Sequence, residues 1–127
     1  MVNSKKGAGL LTAEERKELL ALAAEGLENV VADSWDGWLV DYAKKVGATA
    51  VVKGIRDEKD LAWEMEMAAY NRNIDPELAL ETILLPAKEE YRDISSTLVR
   101  DCLRDGKSIE NYVPAAVAGA LQEKKGR

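Results

Sequence analysis

The sequence predicts an α/β protein built on a parallel, doubly wound sheet. Short apolar runs rich in Val, Ile and Leu alternate with helix-period segments of roughly 10 to 16 residues from end to end. No repeat, linker or low-complexity tract interrupts that alternation. The 127 residues suffice for one domain and fall short of two comfortable ones, so a single domain over residues 1–127 is expected. Strands separated by helices pair in parallel as βαβ units, because the crossover is long enough to return the chain to the same edge.

The elements follow in order. Met1-Val2-Asn3 reads as the last residues of a strand, and Ser4-Lys5-Lys6-Gly7 as the loop at its carboxyl end, the edge where open α/β sheets bind ligands. Thr12 and Glu15 stand at capping-box spacing before a helix over 13–27, with Leu19, Leu20, Ala23, Ala24 and Leu27 on one face. Residues 29–33 (Asn-Val-Val-Ala-Asp) read as a short buried strand, and 36–46 as a helix closed by Gly47. Residues 49–52 form another strand, followed by a turn at Gly54 and then Arg56.

A long helix is predicted over 57–72, with Leu61, Met65 and Ala68 on one stripe and Trp63, Met67 and Tyr70 on the next. Residues 73–76 read as a loop and 82–85 as a strand stopped by Pro86. Ser95 and Ser96 are N-cap candidates for a helix reaching about Arg104 and ended by Asp105-Gly106; Pro114 at a first helical position opens the last helix.

Composition excludes several mechanisms. With 46% hydrophobic and 32% charged residues the chain has the profile of an ordinary globular protein, but it holds no histidine, no phenylalanine and one cysteine. Imidazole general bases, Ser-His-Asp and Cys-His machinery and His-rich zinc sites are therefore absent from these residues. Cys102 lies in an apolar helical pattern and reads as a packing residue. The net charge of -5 is opposite in sign to that of a general nucleic-acid binder. No apolar run approaches the ~18–20 residues of a membrane span, and MVNSKKGAG lacks the apolar region of a signal peptide, so no membrane association and a cytoplasmic location are expected.

Three segments would reach the carboxyl edge of such a sheet: Lys5-Lys6, Lys53-Gly54-Ile55-Arg56, and 91–97. Lys53 and Arg56 flank a glycine whose backbone can be approached closely, an arrangement suited to phosphate; a turn glycine between solvated charges is the bland alternative. Ile94-Ser95-Ser96-Thr97 brings hydroxyls and free backbone N–H groups to a helix start, which fits an anion or plain capping equally well. Glu64 and Asn71, seven residues apart, share a helix face, where solvation is the ordinary explanation. Trp38, Leu39, Trp63, Met67 and Tyr70 are expected for the most part in the core, with an apolar groove as the alternative.

In combination these segments are more specific. Asn3-Ser4-Lys5-Lys6-Gly7 with Thr12-Ala13-Glu14-Glu15-Arg16, then Asp36-Gly37-Trp38-Leu39-Val40-Asp41-Tyr42-Ala43, Val52-Lys53-Gly54-Ile55-Arg56, Trp63-Glu64-Met65-Glu66-Met67-Ala68 with Asn71-Arg72, and Glu90-Tyr91 through Ile94-Ser95-Ser96-Thr97-Leu98-Val99 to Val113-Pro114 resemble the bacterial phosphopantetheine adenylyltransferases in order and spacing. The resemblance implies a Rossmann-like nucleotidyltransferase fold and transfer of AMP from ATP to 4'-phosphopantetheine, giving dephospho-coenzyme A and pyrophosphate. It also implies Mg²⁺ carried with ATP, a homohexamer, and coenzyme A or its precursors as ligands. Residue by residue, Lys5 and Lys53 fall to the phosphate region of phosphopantetheine and Leu39 to its pantetheine arm. Asn71, with Tyr70 and Met67, falls to the groove for that arm. Gly54, Ile55, Arg56, Glu64, Tyr91, Arg92, Asp93, Ile94, Ser95, Ser96 and Thr97 fall to ATP.

The sequence departs from the family pattern in places. Lys53 stands where many members carry Arg, Arg92 and Asp93 replace small and aromatic residues, and Ala8-Gly9 look inserted. The family opens with a strand, a turn bearing a (T/H)-x-G-H motif, a helix and a second strand, and residues 1–127 do not contain that first βα unit or its catalytic histidine. No residue here is assigned the catalytic role. The expectation is an N-terminally truncated domain, with Met1 an internal methionine read as a start, that is inactive alone. Without a central strand it either fails to fold as a monomer or takes that strand from another polypeptide, since lost ladder bonds at ~0.5–1.5 kcal/mol each are set against a stability of only ~5–15 kcal/mol. A non-catalytic remnant that binds ATP, coenzyme A or a partner chain is the alternative function.

Overall fold

A computed structural model describes residues 1–3 and 10–125. In chain order the elements are β1 (Val2–Asn3), α1 (Ala13–Ala23), β2 (Ser34–Trp35), α2 (Leu39–Val46), β3 (Ala50–Ile55), α3 (Glu58–Ile74), β4 (Glu81–Pro86), a 3-10 turn (Glu89–Tyr91), α4 (Ser96–Arg104) and α5 (Ala115–Lys125). They gather into two compact units, Met1–Asp36 with Ile94–Arg127, and Gly37–Asp93. Each unit holds one parallel strand pair with a helix in the connection, the α/β arrangement that the alternation of segments predicts. The described sheets are two-stranded, β1–β2 in the first unit and β3–β4 in the second.

In the first unit β1 pairs with β2, Val2 opposite Ser34 and Asn3 opposite Trp35. The capping box forms as expected: Thr12 Oγ1 accepts from the Glu15 N–H at 3.2 Å and Glu15 Oε2 from the Thr12 N–H at 2.8 Å. The helix stops earlier than its apolar pattern suggests. Its C-cap is Ala24, Gly26 takes a left-handed φ of 86°, and Leu27 is exposed. The strand expected at 29–33 is displaced to 34–35. The Val30 N–H is spent on the Leu27 carbonyl in a tight turn, and Val31 is 84% exposed. The run meets the ladder only at its last residue, where the Asp33 carbonyl accepts the Val2 N–H at 2.7 Å.

The core of this unit is Cys102, Leu103, Ile109, Val117, Ala118 and Leu121, to which α1 contributes Leu19. Cys102 is thus a packing residue, as predicted. Helix α4 ends at Asp105 with Gly106 left-handed (φ 72°). Pro114 stands just outside α5 rather than within it, its carbonyl accepting the Ala118 N–H.

In the second unit β3 and β4 pair from Ala50↔Glu81 to Ile55↔Pro86. Both strands outrun their expected limits. Gly54 lies inside β3 opposite Leu85, so the predicted turn there is wrong; Pro86 closes the ladder, and Ala87 donates past it to the Ile55 carbonyl. Helix α2 begins at Leu39, not 36, and ends as predicted on Gly47 (φ 69°). Helix α3 is capped by Asp57 and continues through Asn73 and Ile74, where a loop was expected. Ile74 packs on the cluster of Val40, Ala43 and Leu80, and that burial outweighs the local loop signal. Ala79 takes a left-handed φ of 48°, a conformation costing an L-residue roughly 1–2 kcal/mol. It sits next to Leu80, which is 1% exposed and whose burial is worth roughly 1.5–3 kcal/mol.

Candidate functional site

The polarity of α3 is inverted. Trp63, Met65 and Tyr70 are 61%, 59% and 52% exposed and Leu61 is also exposed, so the two apolar stripes read from the sequence do not form the core face. The less exposed positions are Asp60, Glu64, Met67, Ala68, Asn71 and Ile74. Asp60, Glu64, Met67 and Asn71 follow one another at four, three and four residues, a single stripe down the helix. A helix that turns carboxylates and an amide inward offers chemistry at the expense of packing.

Strand β3 supplies the opposing charges. Its side chains alternate, with Val51, Lys53 and Ile55 half-buried and Ala50, Val52 and Gly54 exposed. Lys53 Nζ lies 3.8 Å from Glu64 Oε2, an ion pair too long for a hydrogen bond, with the Glu64 side chain only 17% exposed. One step beyond the strand, Arg56 is held tightly. Its Nε donates to Asp60 Oδ2 at 2.9 Å, its Nη2 to Oδ1 at 3.4 Å, and its backbone N–H to Oδ2 at 3.0 Å. Asp60 is fixed in turn, its N–H donating to Asp57 Oδ1 at 2.8 Å in the helix cap. The Arg56 hydrogen bonds hold the Asp60 carboxyl below the usual aspartate range, and Asp60 raises the Arg56 guanidinium. The result is two cations on the carboxyl end of a parallel strand, each anchored by a carboxylate on the next helix.

Further along the stripe Asn71 is 6% exposed, and its carboxamide makes no hydrogen bond to any described residue. Ordinary solvation of Glu64 and Asn71, the expectation for polar helix residues, does not apply to either. Leu39 is half-buried against the Val40 cluster. Tyr70 points off the stripe, its ring 6.2 Å from that of Trp38, which is itself 55% exposed. The core placement expected for Trp38, Trp63 and Tyr70 is thereby corrected, while Leu39 and Met67 are half-buried.

The chain is similar to known proteins over most of its length. The model of the cytidylyltransferase-like family matches residues 1–102. The chain is 42% identical over 123 residues to the phosphopantetheine adenylyltransferase of Rhizobium etli, covering 93% of this chain and 74% of that protein. It is 40% identical over 115 residues to the protein of that name from Caldanaerobacter subterraneus subsp. tengcongensis, covering 91% and 71%. A third, from Heliobacterium modesticaldum, is 35% identical over 117 residues, covering 92% and 68%. The chain belongs to the phosphopantetheine adenylyltransferase family.

For an adenylyltransferase of this family, the β3–α3 junction brings together Lys53, Gly54, Ile55, Arg56 and Glu64 of the expected site, with Asn71 on the same stripe. A Cβ on Gly54 would meet nothing within 4 Å, so the strand is open on that side. Tyr91 is 51% exposed in the 3-10 turn, Arg92 pairs with Glu89 at 3.2 Å, and Asp93 is exposed. Ile94, Ser95, Ser96 and Thr97 belong to the other unit. There Ser95 caps α4 by accepting the Leu98 N–H at 3.1 Å, and Thr97 Oγ1 accepts from Arg100 Nη2 at 3.1 Å. Lys5 lies outside the described residues. Asp60 went unnoticed in the sequence; its spacing of three from Asp57 and four from Arg56 is the signal that marks it. No helix among the described residues is long and apolar enough to cross a membrane.

Proposed function

We propose that this chain serves transfer of an adenylyl group from ATP to 4'-phosphopantetheine, giving dephospho-coenzyme A and pyrophosphate. The observation that carries the reading is helix α3, whose less exposed stripe holds Asp60, Glu64 and Asn71 beside its apolar positions, in a chain 35–42% identical to relatives named for that activity.

A phosphate oxygen of phosphopantetheine attacks the α-phosphorus of ATP in line. The new O–P bond forms as the bond to the β-phosphate oxygen breaks, and the pyrophosphate leaves with the electron pair. No covalent nucleophile is needed, so the protein's work is to align two polyanions and to meet charge shifting toward the leaving group. Lys53, a compact charge with rotatable donors, is assigned to the phosphate of phosphopantetheine, and Arg56, a planar fork, to ATP with Gly54 and Ile55. Glu64 holds Lys53 toward the strand edge. Asn71 offers two N–H donors and a carbonyl to the amides of the pantetheine arm, with Leu39 and Met67 as apolar contacts. Tyr91, Arg92 and Asp93 are assigned to the nucleotide by resemblance alone.

Mg²⁺ enters this reading on the triphosphate. No group of three or more Cys, Asp or Glu side chains among the described residues converges on a point, so these side chains do not form a divalent-ion cage.

The chain contains no histidine, which favours as a second reading a protein that binds these ligands without turnover. One experiment separates the two. Calorimetric titration with ATP and with 4'-phosphopantetheine is paired with a pyrophosphate-release assay and mass detection of dephospho-coenzyme A. Product of that mass supports transfer; binding of both ligands without product supports the second reading; binding of neither refutes both.

A further inference from the structure

We infer that Asp60 is a positioning residue for the nucleotide: it presents the Arg56 guanidinium edge-on at the carboxyl end of β3, leaving the opposite edge for a phosphate. This rests on the assignment of Arg56 to ATP.

The geometry is specific. Arg carries five N–H donors in a rigid plane. Asp60 takes one from Nε and one from Nη2, the edge nearest the main chain. Both N–H groups of Nη1 and the second of Nη2 have no acceptor among the described residues, and these three point away from Asp60 by the planarity of the group. That edge matches two oxygens of a phosphate. The same carboxylate also takes the Arg56 backbone N–H, so the base and the tip of the side chain are fastened by one group. Asp60 cannot drift, because its own N–H is bound by the Asp57 cap. A solvent-exposed ion pair between two long side chains is ordinarily loose, since both ends lose rotamer freedom on pairing. Here one partner is a short aspartate on a capped helix turn, 25% exposed, and the cost of ordering Arg56 is met before the nucleotide arrives.

The test is a mutant cycle read by ATP titration calorimetry on the full chain, with circular dichroism to establish that each variant is folded. Asp60→Asn keeps an acceptor for the backbone N–H but loses the charge and the second guanidinium acceptor. It is expected to weaken ATP binding roughly tenfold, the lower end for removing a group that orients a ligand-holding side chain. Affinity for 4'-phosphopantetheine is expected to stay within about twofold, since the described residues assigned to it make no hydrogen bond or ion pair with Asp60. In an Arg56→Ala background Asp60→Asn should have no further effect on ATP affinity; a purely structural role would persist there. Arg56→Lys keeps the charge without the fork, and it should lose affinity as Asp60→Asn does.

If Asp60→Asn leaves ATP affinity unchanged while Arg56→Ala weakens it, the positioning role falls and the assignment of Arg56 survives. Undiminished ATP binding by Arg56→Ala overturns both. An equal loss from Asp60→Asn with and without Arg56 overturns the positioning role, as does full affinity in Arg56→Lys.

Discussion

Asn71→Leu should stabilise this protein while impairing it. Asn71 is 6% exposed, on a helix stripe whose lower end packs beside the cluster of Val40, Ala43 and Leu80, and no described residue accepts from or donates to its carboxamide. Burying an amide without a partner costs roughly 1–3 kcal/mol on the scale of protein mutational data. Leucine is close in length, carries no polar atom and is a better helix former by a few tenths of a kcal/mol, which offsets part of any crowding from its branched end. The expected net change is a gain of about 1–2 kcal/mol in unfolding free energy. Urea unfolding followed by tryptophan fluorescence reads this as a higher midpoint at unchanged slope. The companion measurement is calorimetry with 4'-phosphopantetheine, where loss of the amide should weaken binding about tenfold or more, the cost of leaving a substrate amide unpaired. ATP affinity should change little. A variant less stable than the parent by 1 kcal/mol or more, with phosphopantetheine affinity intact, would show that Asn71 has structural partners and no ligand role.

Further outcomes follow from the two cores and the caps. Leu80→Ala should cost about 2–5 kcal/mol, because the three carbons removed come from a side chain 1% exposed and the relaxed backbone no longer has burial to offset the left-handed Ala79; chemical denaturation measures it. Ser95→Ala should cost about 1 kcal/mol by leaving the Leu98 N–H at the start of α4 without its cap, with Ser95→Gly losing less, both read by thermal unfolding. Acid should destabilise the chain through Asp75, Asp60 and Glu15. Their carboxyls are held below the ordinary range chiefly by hydrogen bonds from Lys44, Arg56 and Lys124 respectively. A depressed acid contributes stability fully above its unfolded value, near 4, and loses it as pH falls through the lower folded value. Melting temperature should therefore be flat from pH 7 to about 5 and fall below about 4, with a shallower fall in Asp75→Asn.

The sequence by itself determined what depends on neighbours within four residues. The Thr12–Glu15 box, the Ser95 cap and the left-handed glycines at 47 and 106 are local hydrogen-bond and φ requirements, and each appears where its residues announce it. Order and spacing of the polar segments likewise sufficed for the family, since alignment of motifs does not require knowing which way a side chain faces. Facing is what only the tertiary structure decided. Helix α3 carries apolar residues all around its circumference, so periodicity offered two plausible core stripes, and neither is the inward one. The inward stripe carries Ile74 onto the Val40, Ala43 and Leu80 cluster, and along it Glu64 lies 3.8 Å from Lys53 of β3 and Asp60 accepts the Arg56 N–H, long-range contacts that periodicity within the helix does not contain. The strand over 29–33 failed for the same kind of reason, because a ladder needs a partner in register and the run meets β1 only at Asp33, whose carbonyl accepts the Val2 N–H. Propensity names what a segment can form; the partner across the sheet decides which face of it is buried and which residues are left for a ligand.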